Sequence, residues 1–323
     1  MNKVIFKICL IVIALFSLTS CRGIEFENQK IAKAEEFSKA EAMIFVAEEK
    51  NKYENRFGAA IWNLKSGDGN LSFKDYVVSN VKKFVEKMME LKLVSEDLNI
   101  TISNQDDEKI KKLAHEYFDE LTMDDIDYIN CNIDDVEKAY RDYHLSRLVI
   151  DNLTKKAGTE LSISEAKVIR VQYIVMEDKN LADKTIEDLK AKGANFSYFA
   201  KTRSIETNID MIIKRGDENS TRFPELFYLS DGQVSSILQY KNMYYIFKCV
   251  EDYMVEETED RRLEILKAMK NDEYNENIKK YEEEYNLRSN STYWKDINLS
   301  NGSRCKIYKF EEMYYKYFPR TIK

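Results

Sequence analysis

Apolar residues recur with a helical period through most of the first half of the chain. Between residues 73 and 94 they fall on one helical face, and Ser72 and Asp75 form a capping pair at the start of that segment. Similar patterns predict helices over residues 106 to 121 and 134 to 155. We therefore expect this half to form a helical bundle or a hooked arm. The predicted inward-facing residues are Phe73, Val77, Val81, Phe84, Val85, Met88, Val136, Ala139, Tyr140 and Tyr143.

A helical pattern returns between residues 258 and 285. Tyr274, Ile278, Tyr281 and Tyr285 form a stripe at helical spacing. Such a stripe usually packs into a core, and the alternative is a surface that binds client polypeptides. A helix at this place can pack back onto the first helical region, so that one helical domain is built from both ends of the chain.

Between the two helical regions, residues 167 to 250 show the pattern of a small α/β module. A β-branched run over residues 167 to 176 predicts a buried strand. A helix is predicted over residues 180 to 192, where Gly193 closes it, and a short second helix contains Phe196, Phe199 and Ala200. After an irregular middle, two more strands are predicted over residues 234 to 240 and 243 to 249.

The order and the residues of this module resemble the parvulin-type peptidyl-prolyl isomerase domain. Four stretches carry the resemblance, and they are moderately specific only when taken together. They are Val-Gln-Tyr-Ile-Val at residues 171 to 175, Asn-Phe-Ser-Tyr-Phe-Ala at 195 to 200 with Ser204 following, Leu-Ser-Asp-Gly-Gln-Val-Ser at 229 to 235, and Met-Tyr-Tyr-Ile-Phe-Lys at 243 to 248.

The positions that would carry parvulin chemistry hold other residues. The family typically has a histidine in the first strand, a cysteine or aspartate after the second helix, and a second histidine in the last strand. Here these positions fall on Tyr173, Glu206 and Tyr245, which the resemblance makes the catalytic candidates. The glycine-rich turn of the family is replaced by residues 207 to 213. The candidate walls of a proline-binding pocket, which are more often simple core, are Phe223, Leu226 and Phe227.

The amino terminus predicts export and anchoring. Lys3 and Lys7 precede an apolar run, at residues 8 to 16, that is too short for a permanent membrane span but suits a secretory signal. The stretch Leu-Thr-Ser-Cys ending at Cys21 resembles a bacterial lipobox, in which the cysteine is acylated and becomes the first residue. The alternative is an ordinary signal peptide with an incidental cysteine. We expect an extracytoplasmic protein that is lipid-anchored to the cell membrane through Cys21.

Composition adds limits on partners. Loss of residues 1 to 20 removes Lys3 and Lys7 and would change the net charge from −7 to −9. A body of that charge is a poor candidate for binding nucleic acid or anionic lipid. The remaining Cys131, Cys249 and Cys305 are odd in number and widely spaced, so three buried thiols are expected rather than a disulfide framework.

Two histidines, His115 and His144, lack a neighbouring Cys or His at ligand spacing, so no metal site is expected. A Ser-His-Asp site is not formally excluded, since its members can be distant in sequence, although no nucleophile motif occurs. Isomerase chemistry of the parvulin type is noncovalent, and the resemblance implies no cofactor.

The combined expectation is an α+β fold. A mostly helical, chaperone-like domain is built from residues 21 to 163 and from C-terminal helices at 253 to 323, with a parvulin-like domain of small antiparallel sheet and flanking helices inserted at 164 to 252. Residues 1 to 20 are the predicted signal peptide. This layout resembles extracytoplasmic foldases of the PrsA and SurA types, and the resemblance outside the module is one of layout and helix pattern.

Three functional hypotheses follow from this layout. The first is an anchored folding factor of the parvulin family that acts as a chaperone for unfolded or newly secreted polypeptides, with isomerase activity weak or lost. The second is a genuine peptidyl-prolyl isomerase that uses the substituted residues. The third is a lipoprotein scaffold without a folding role. A homodimer formed through the helices is compatible with all three.

Overall fold

The computed structural model describes residues 36 to 65, 72 to 159, 161 to 285, 289 and 291 to 319. The predicted signal peptide and Cys21 lie outside these residues. Contacts divide the chain into two units, which we call the helical unit and the sheet unit. The helical unit comprises the chain up to Lys155 together with the chain from Tyr274 onward, and the sheet unit comprises Lys156–Glu273. The domain boundaries predicted from the sequence stay predictions.

Within the described residues up to Lys155, the helical unit contains five α-helices, and polar side chains cap their amino termini. Ser38 and Glu41 form a capping box before the first helix, as Thr122 with Asp125 and Asn132 with Asp135 do before the fourth and fifth. The helices are α1 (Lys39–Phe57), α2 (Phe73–Asp97), α3 (Asn104–Asp119), α4 (Met123–Ile129) and α5 (Ile133–Leu153), with a 3-10 turn at Ala59–Asn63.

The helices predicted from the apolar pattern are confirmed at α2, α3 and α5. Ser72 caps α2 by accepting a hydrogen bond from the Asp75 backbone N–H at 3.2 Å, as expected. The apolar faces of these helices meet in one buried cluster together with residues near the C-terminus. Its members include Phe45, Val81, Met88, Leu113, Tyr117, Val136, Tyr140 and Phe310.

The sheet unit contains a four-stranded antiparallel sheet flanked by short helices. Its strands lie in the order β2-β1-β4-β3, so β1 and β4 are central. The elements are α6 (Ile163–Ala166), β1 (Val168–Met176), α7 (Lys179–Leu189), α8 (Phe196–Arg203), β2 (Asp210–Lys214), α9 (Glu218–Arg222), a 3-10 turn at Pro224–Tyr228, β3 (Leu238–Tyr240) and β4 (Met243–Glu251).

The two faces of this sheet pack against different neighbours, because side chains alternate along each strand. On one face, Ile174 and Met176 of β1 pack with Ala182, Phe196 and Ala200 of α7 and α8. The other face packs against the segment around the Pro224–Tyr228 turn. The buried cluster formed there contains Val171, Tyr173, Val175 and Phe247 from the strands and Phe223, Leu226 and Phe227 from the turn segment.

The irregular middle predicted for the sheet unit is wrong in two places. Asp210–Lys214 forms the edge strand β2, and Glu218–Arg222 forms the short helix α9. The strand predicted from residue 234 is regular only over Leu238–Tyr240, while Val234 makes a single bridge to Lys248. Ile212 lies opposite the exposed Arg170 of β1 and is itself exposed. An apolar residue at this exposed position weakens the apolar-polar alternation of the sequence that marks a strand.

The last elements return to the helical unit. The helix α10 (Val255–Glu284) spans the division between the units, and it is followed by a 3-10 turn at Thr292–Asp296 and by α11 (Phe310–Tyr317). The predicted stripe on α10 is core, as expected, since Tyr274, Ile278 and Tyr281 are buried against α2 and α5. Their partners include Leu91, Val94, Val149 and Leu153.

The prediction of an α+β fold with a small antiparallel sheet is confirmed. Cys131, Cys249 and Cys305 are buried free thiols, also as expected. Among the described residues, no helix has the length and apolar character needed to cross a membrane.

Candidate functional site

The pairing of β1 with β4 brings Tyr173 and Tyr245 onto one face of the sheet. Tyr173 lies opposite Phe247 in the register, and Val175 lies opposite Tyr245. The two tyrosines are therefore diagonal neighbours on the central strands, where long side chains can interact. Tyr173 is buried and Tyr245 is half-buried.

Glu206 reaches the same place through the loop that follows α8. The Ile205 backbone N–H donates a hydrogen bond to the Val175 carbonyl at 3.0 Å, which fixes this loop to β1. The Ser204 hydroxyl accepts hydrogen bonds from the N–H groups of Val175 at 3.1 Å and Glu206 at 3.3 Å. The exposed Glu206 then accepts a short hydrogen bond from the Tyr173 hydroxyl.

Electrostatics keep both tyrosines protonated. Burial raises the pKa of Tyr173 well above the ordinary value, and the hydrogen bond to Glu206 and the negative charge of Glu206 raise it further. Burial also raises the pKa of Tyr245, where the positive charge of Arg222 opposes the shift and Glu206 reinforces it. At neutral pH both phenols are therefore neutral groups that can donate or accept hydrogen bonds.

Aromatic rings fill the space beside these hydroxyls. The Phe223 ring centroid lies 4.9 Å from that of Tyr245 and 5.0 Å from that of Phe247. The rings of Tyr245 and Phe247 are nearly parallel, at 8°. Leu226 and Phe227 belong to the same buried cluster. The three predicted pocket walls thus lie on the same side of the sheet as Tyr173, where they are packed against each other and the sheet.

The sequence patterns did not indicate Arg222, which lies at the site. The Arg222 guanidinium lies 4.2 Å from the centroid of the Tyr240 ring and influences Tyr245 electrostatically. The Arg222 Nε atom is buried and has no hydrogen-bond partner. The only sequence feature that could have indicated Arg222 is its position immediately before Phe223, a candidate pocket wall. The pattern of apolar residues does not indicate a charged residue at that position.

The site combines a packed aromatic face with the hydrogen-bonded Tyr173 and Glu206 side chains, and these residues do not form a paired nucleophile and base. The structure brings Tyr173 and Glu206 into hydrogen-bond contact and places Tyr245 on the same face, with Phe223 packed on Tyr245 and Phe247. In the part of the chain that the structure describes, no three metal-ligating side chains converge. Action of these residues on a substrate stays a prediction.

Comparison with known proteins gives matches among solved structures alone. No family model matches the chain, and no curated protein matches it. PrsA from Bacillus subtilis is 20% identical, with 72% of this chain and 95% of that chain covered and a TM-score of 0.26. The PrsA peptidylprolyl isomerase from Bacillus anthracis is 19% identical, with 64% of this chain and 100% of that chain covered and a TM-score of 0.28.

The foldase protein PrsA from Streptococcus pneumoniae is 18% identical, with 72% of this chain and 97% of that chain covered and a TM-score of 0.29. Identity and structural overlap at this level do not assign an activity. The function is therefore argued from the residues of the site.

Proposed function

We propose that this chain is an extracytoplasmic folding factor that binds unfolded or newly secreted polypeptides, with weak or no isomerase activity in its sheet unit. The observation that carries the proposal is the replacement at the centre of the site. Where parvulins place paired histidines and an acidic or thiol residue, this chain has the hydrogen-bonded pair of Tyr173 and Glu206 and the aromatic stack around Tyr245.

The packing of the site disfavours prolyl isomerisation. Rotation about an Xaa-Pro bond faces a barrier of about 20 kcal/mol, and an isomerase must grip the proline ring while the amide twists. Phe223, the first candidate wall, is only 4% exposed and packs on Tyr245 and Phe247. A proline ring would have to displace it. The Tyr173 hydroxyl already donates its hydrogen bond to Glu206.

The anchoring and the partners belong to the same proposal. Acylation at Cys21 would hold the body on the outer surface of the cell membrane, where secreted chains emerge. The net acidic charge supports a polypeptide partner rather than a nucleic acid. No cofactor is required, because holding a client needs only exposed surface and reversible contacts.

A second candidate function, genuine prolyl isomerisation, is favoured by one observation. Glu206 is exposed at the site while it accepts the hydrogen bond from Tyr173, so a polar group remains accessible beside the apolar face. If Phe223 moves aside, Tyr245 and the Tyr173–Glu206 pair would lie at the floor of the vacated space.

The test measures two activities of the chain from residue 22 onward. Isomerisation of a proline tetrapeptide is followed beside suppression of aggregation of a chemically unfolded protein, for the wild type and for Tyr173→Phe and Glu206→Gln. Tyr228→Phe, on an exposed tyrosine of the same unit, is the matched control. We expect suppression of aggregation in all four proteins and isomerisation near the uncatalysed rate.

Other outcomes decide between the alternatives. Isomerisation that is fast in the wild type and in Tyr228→Phe but lost in the two site variants would show that the substituted site is a working prolyl isomerase site. Absence of both activities would contradict the proposal and leave a scaffold protein.

A further inference from the structure

Residues 305 to 310, which we call the C-terminal strap, lie against α1, α4 and α5 of the same helical unit in the way a bound peptide lies in a groove. The strap has no regular secondary structure before α11 begins at Phe310. Its side chains alternate, since Cys305 and Ile307 are buried whereas Lys306 and Tyr308 are exposed. Such alternation is typical of an extended peptide held on one side.

Side chains of the helical unit bind the backbone of the strap directly. One carboxylate oxygen of Asp125 accepts the N–H groups of Lys306 at 2.7 Å and Ile307 at 3.1 Å. The Asn51 amide donates to the Ile307 carbonyl at 2.8 Å. Because these bonds use the main chain of the strap, they do not depend on the strap's own side chains.

The end of the strap is bound in the same manner. The Phe310 N–H donates to Glu48 at 3.0 Å, and the Phe310 carbonyl accepts from the Tyr140 hydroxyl at 3.1 Å. Glu48, Asn51, Asp125 and Tyr140 are all buried, so five backbone groups are recognised by four buried polar side chains from α1, α4 and α5. Burying such groups is costly unless each has a partner, so the groove is built for a polar backbone.

Aromatic rings surround the Phe310 side chain and favour an aromatic residue at this position of a bound segment. The Phe310 ring lies 4.0 Å from the Tyr140 ring, 5.0 Å from Phe45, 5.6 Å from Tyr143 and 5.9 Å from Tyr117, as measured between centroids. Ile307 occupies the buried position three residues earlier. The groove therefore selects an extended segment with an aliphatic residue and, three positions later, an aromatic residue.

We infer that this groove is a peptide-binding site that the chain fills with its own C-terminal strap, and that an extended client segment of the same pattern displaces the strap. The identity of the client rests on the proposed function, whereas the exchange of the strap does not. The strap competes with clients for the groove. A client binds there only if its own extended backbone and aromatic residue can replace those of the strap.

The test uses the full chain in detergent and a fluorescein-labelled peptide of residues 303 to 312 that carries Cys305→Ser. Phe310→Leu in the chain weakens the anchor of the strap and leaves the groove residues unchanged. We expect this variant to bind the peptide about tenfold more tightly than the wild type, a factor that corresponds to about 1.4 kcal/mol. Adding Asn51→Leu should remove that gain, because it deletes the donor to the peptide carbonyl. A peptide carrying Phe310→Ala should not bind.

A second measurement keeps the test decisive if Phe310→Leu folds poorly. Amide hydrogen exchange in the wild type should quicken at Lys306, Ile307 and Phe310 when unlabelled peptide is added, while the amides of α5 stay unchanged. Exchange of the strap amides only together with α5, at every peptide concentration, would show that the strap leaves only on global unfolding and would overturn the inference. A chain that suppresses aggregation but ignores the peptide would retain the proposed function and lose this inference.

Discussion

The rings of Tyr140 and Phe310 stack face to face, with centroids 4.0 Å apart and planes only 4° from parallel. One residue comes from the middle of α5 and the other begins α11, so this contact joins distant parts of the chain. The Tyr140 hydroxyl also donates to the Phe310 carbonyl at 3.1 Å. A stacked ring pair and a buried hydrogen bond thus act on the same residue of the C-terminal segment.

Phe310→Ala should strongly destabilise the helical unit. Truncation of a fully buried phenylalanine in an aromatic core costs about 3–5 kcal/mol through lost burial and the cavity left behind. Denaturant unfolding followed by helical circular dichroism measures the loss. Phe57→Ala is the control, since Phe57 is 56% exposed on α1 and should change stability by no more than about 0.5 kcal/mol. Equal effects of the two substitutions would refute the packing argument.

Lys52 is the positive group among three carboxylates where α1 meets α11. Its ammonium lies 3.2 Å from Glu48, 3.1 Å from Glu49 and 3.4 Å from Glu311. Burial raises the pKa of both Glu48 and Glu49 despite the attraction of Lys52. The folded state therefore holds protons on these groups more readily than the unfolded chain, for which the ordinary value is 4.5.

Lys52→Met should destabilise the folded state by about 3 kcal/mol at neutral pH, because three carboxylates then remain without their partner. The loss should shrink as the pH is lowered toward 5, since the raised pKa values let the folded state take up protons there. Thermal unfolding at pH 5 and pH 7.5 measures the difference. Lys111→Met, at a more exposed lysine that pairs with Asp107 and Glu108, should change stability little at either pH. A pH-independent loss for Lys52→Met would contradict the argument.

His144 should make the helical unit sensitive to mild acid. Its Nδ1 atom lies 2.8 Å from the Tyr314 hydroxyl, and its ring lies 4.2 Å from that of Phe318. Burial lowers the pKa of His144 below its usual 6.5, while Asp106 partly opposes the shift. The unfolded chain therefore takes up the proton first, and the contribution of His144 to stability is present above pH 6.5 and lost as the pH falls toward its folded pKa.

The measurement is the free energy of unfolding between pH 7.5 and pH 5.5. Relative to His144→Gln, the wild type should lose stability as the pH falls through this window, because only the wild type carries the His144 contribution. His115→Gln is the matched control, because His115 is exposed on α3 and its substitution should leave the wild-type slope intact. An unchanged slope in His144→Gln would assign the pH dependence to other groups.

The sequence was most informative where local signals agree. The α2 segment combines a capping serine with an apolar stripe, and both features appear in the structure. The first strand of the sheet unit was equally clear, since β1 is buried along nearly its whole length. The contact between Tyr173 and Glu206 joins residues far apart in sequence, and local periodicity alone does not indicate it.

The strap and β2 were not predicted, for different physical reasons. The strap is held by Asp125, Asn51 and Glu48, which as isolated polar residues on helices give no sign of a distant backbone partner. In β2, the exposed Ile212 breaks the alternation that would mark a strand. Long-range pairing decides both features, and the periodicity of one segment cannot report it.

The edge strand β2 depends on Asp217 at its end. One carboxylate oxygen of Asp217 accepts the Lys214 backbone N–H at 2.9 Å, and the other accepts the Ser220 N–H at 2.7 Å and so caps α9. The Asp210 N–H at the other end is bound by the Asn208 side chain at 3.2 Å. Side chains thus satisfy the outer N–H groups at both ends of a strand whose edge is otherwise unpaired within the sheet.

Asp217→Ala should cost the sheet unit about 1 kcal/mol, the usual effect of losing a helix cap, and should free the Lys214 N–H. Amide exchange at Lys214 should then quicken by about tenfold, which corresponds to about 1.4 kcal/mol, while amides of β4 change much less because β4 is central in the sheet. Glu225→Ala, at an exposed carboxylate of the same unit, is the control and should leave Lys214 exchange unchanged. If Lys214 exchanges at the wild-type rate in Asp217→Ala, the carboxylate does not protect the edge, and the stability of β2 must come from its pairing with β1 alone.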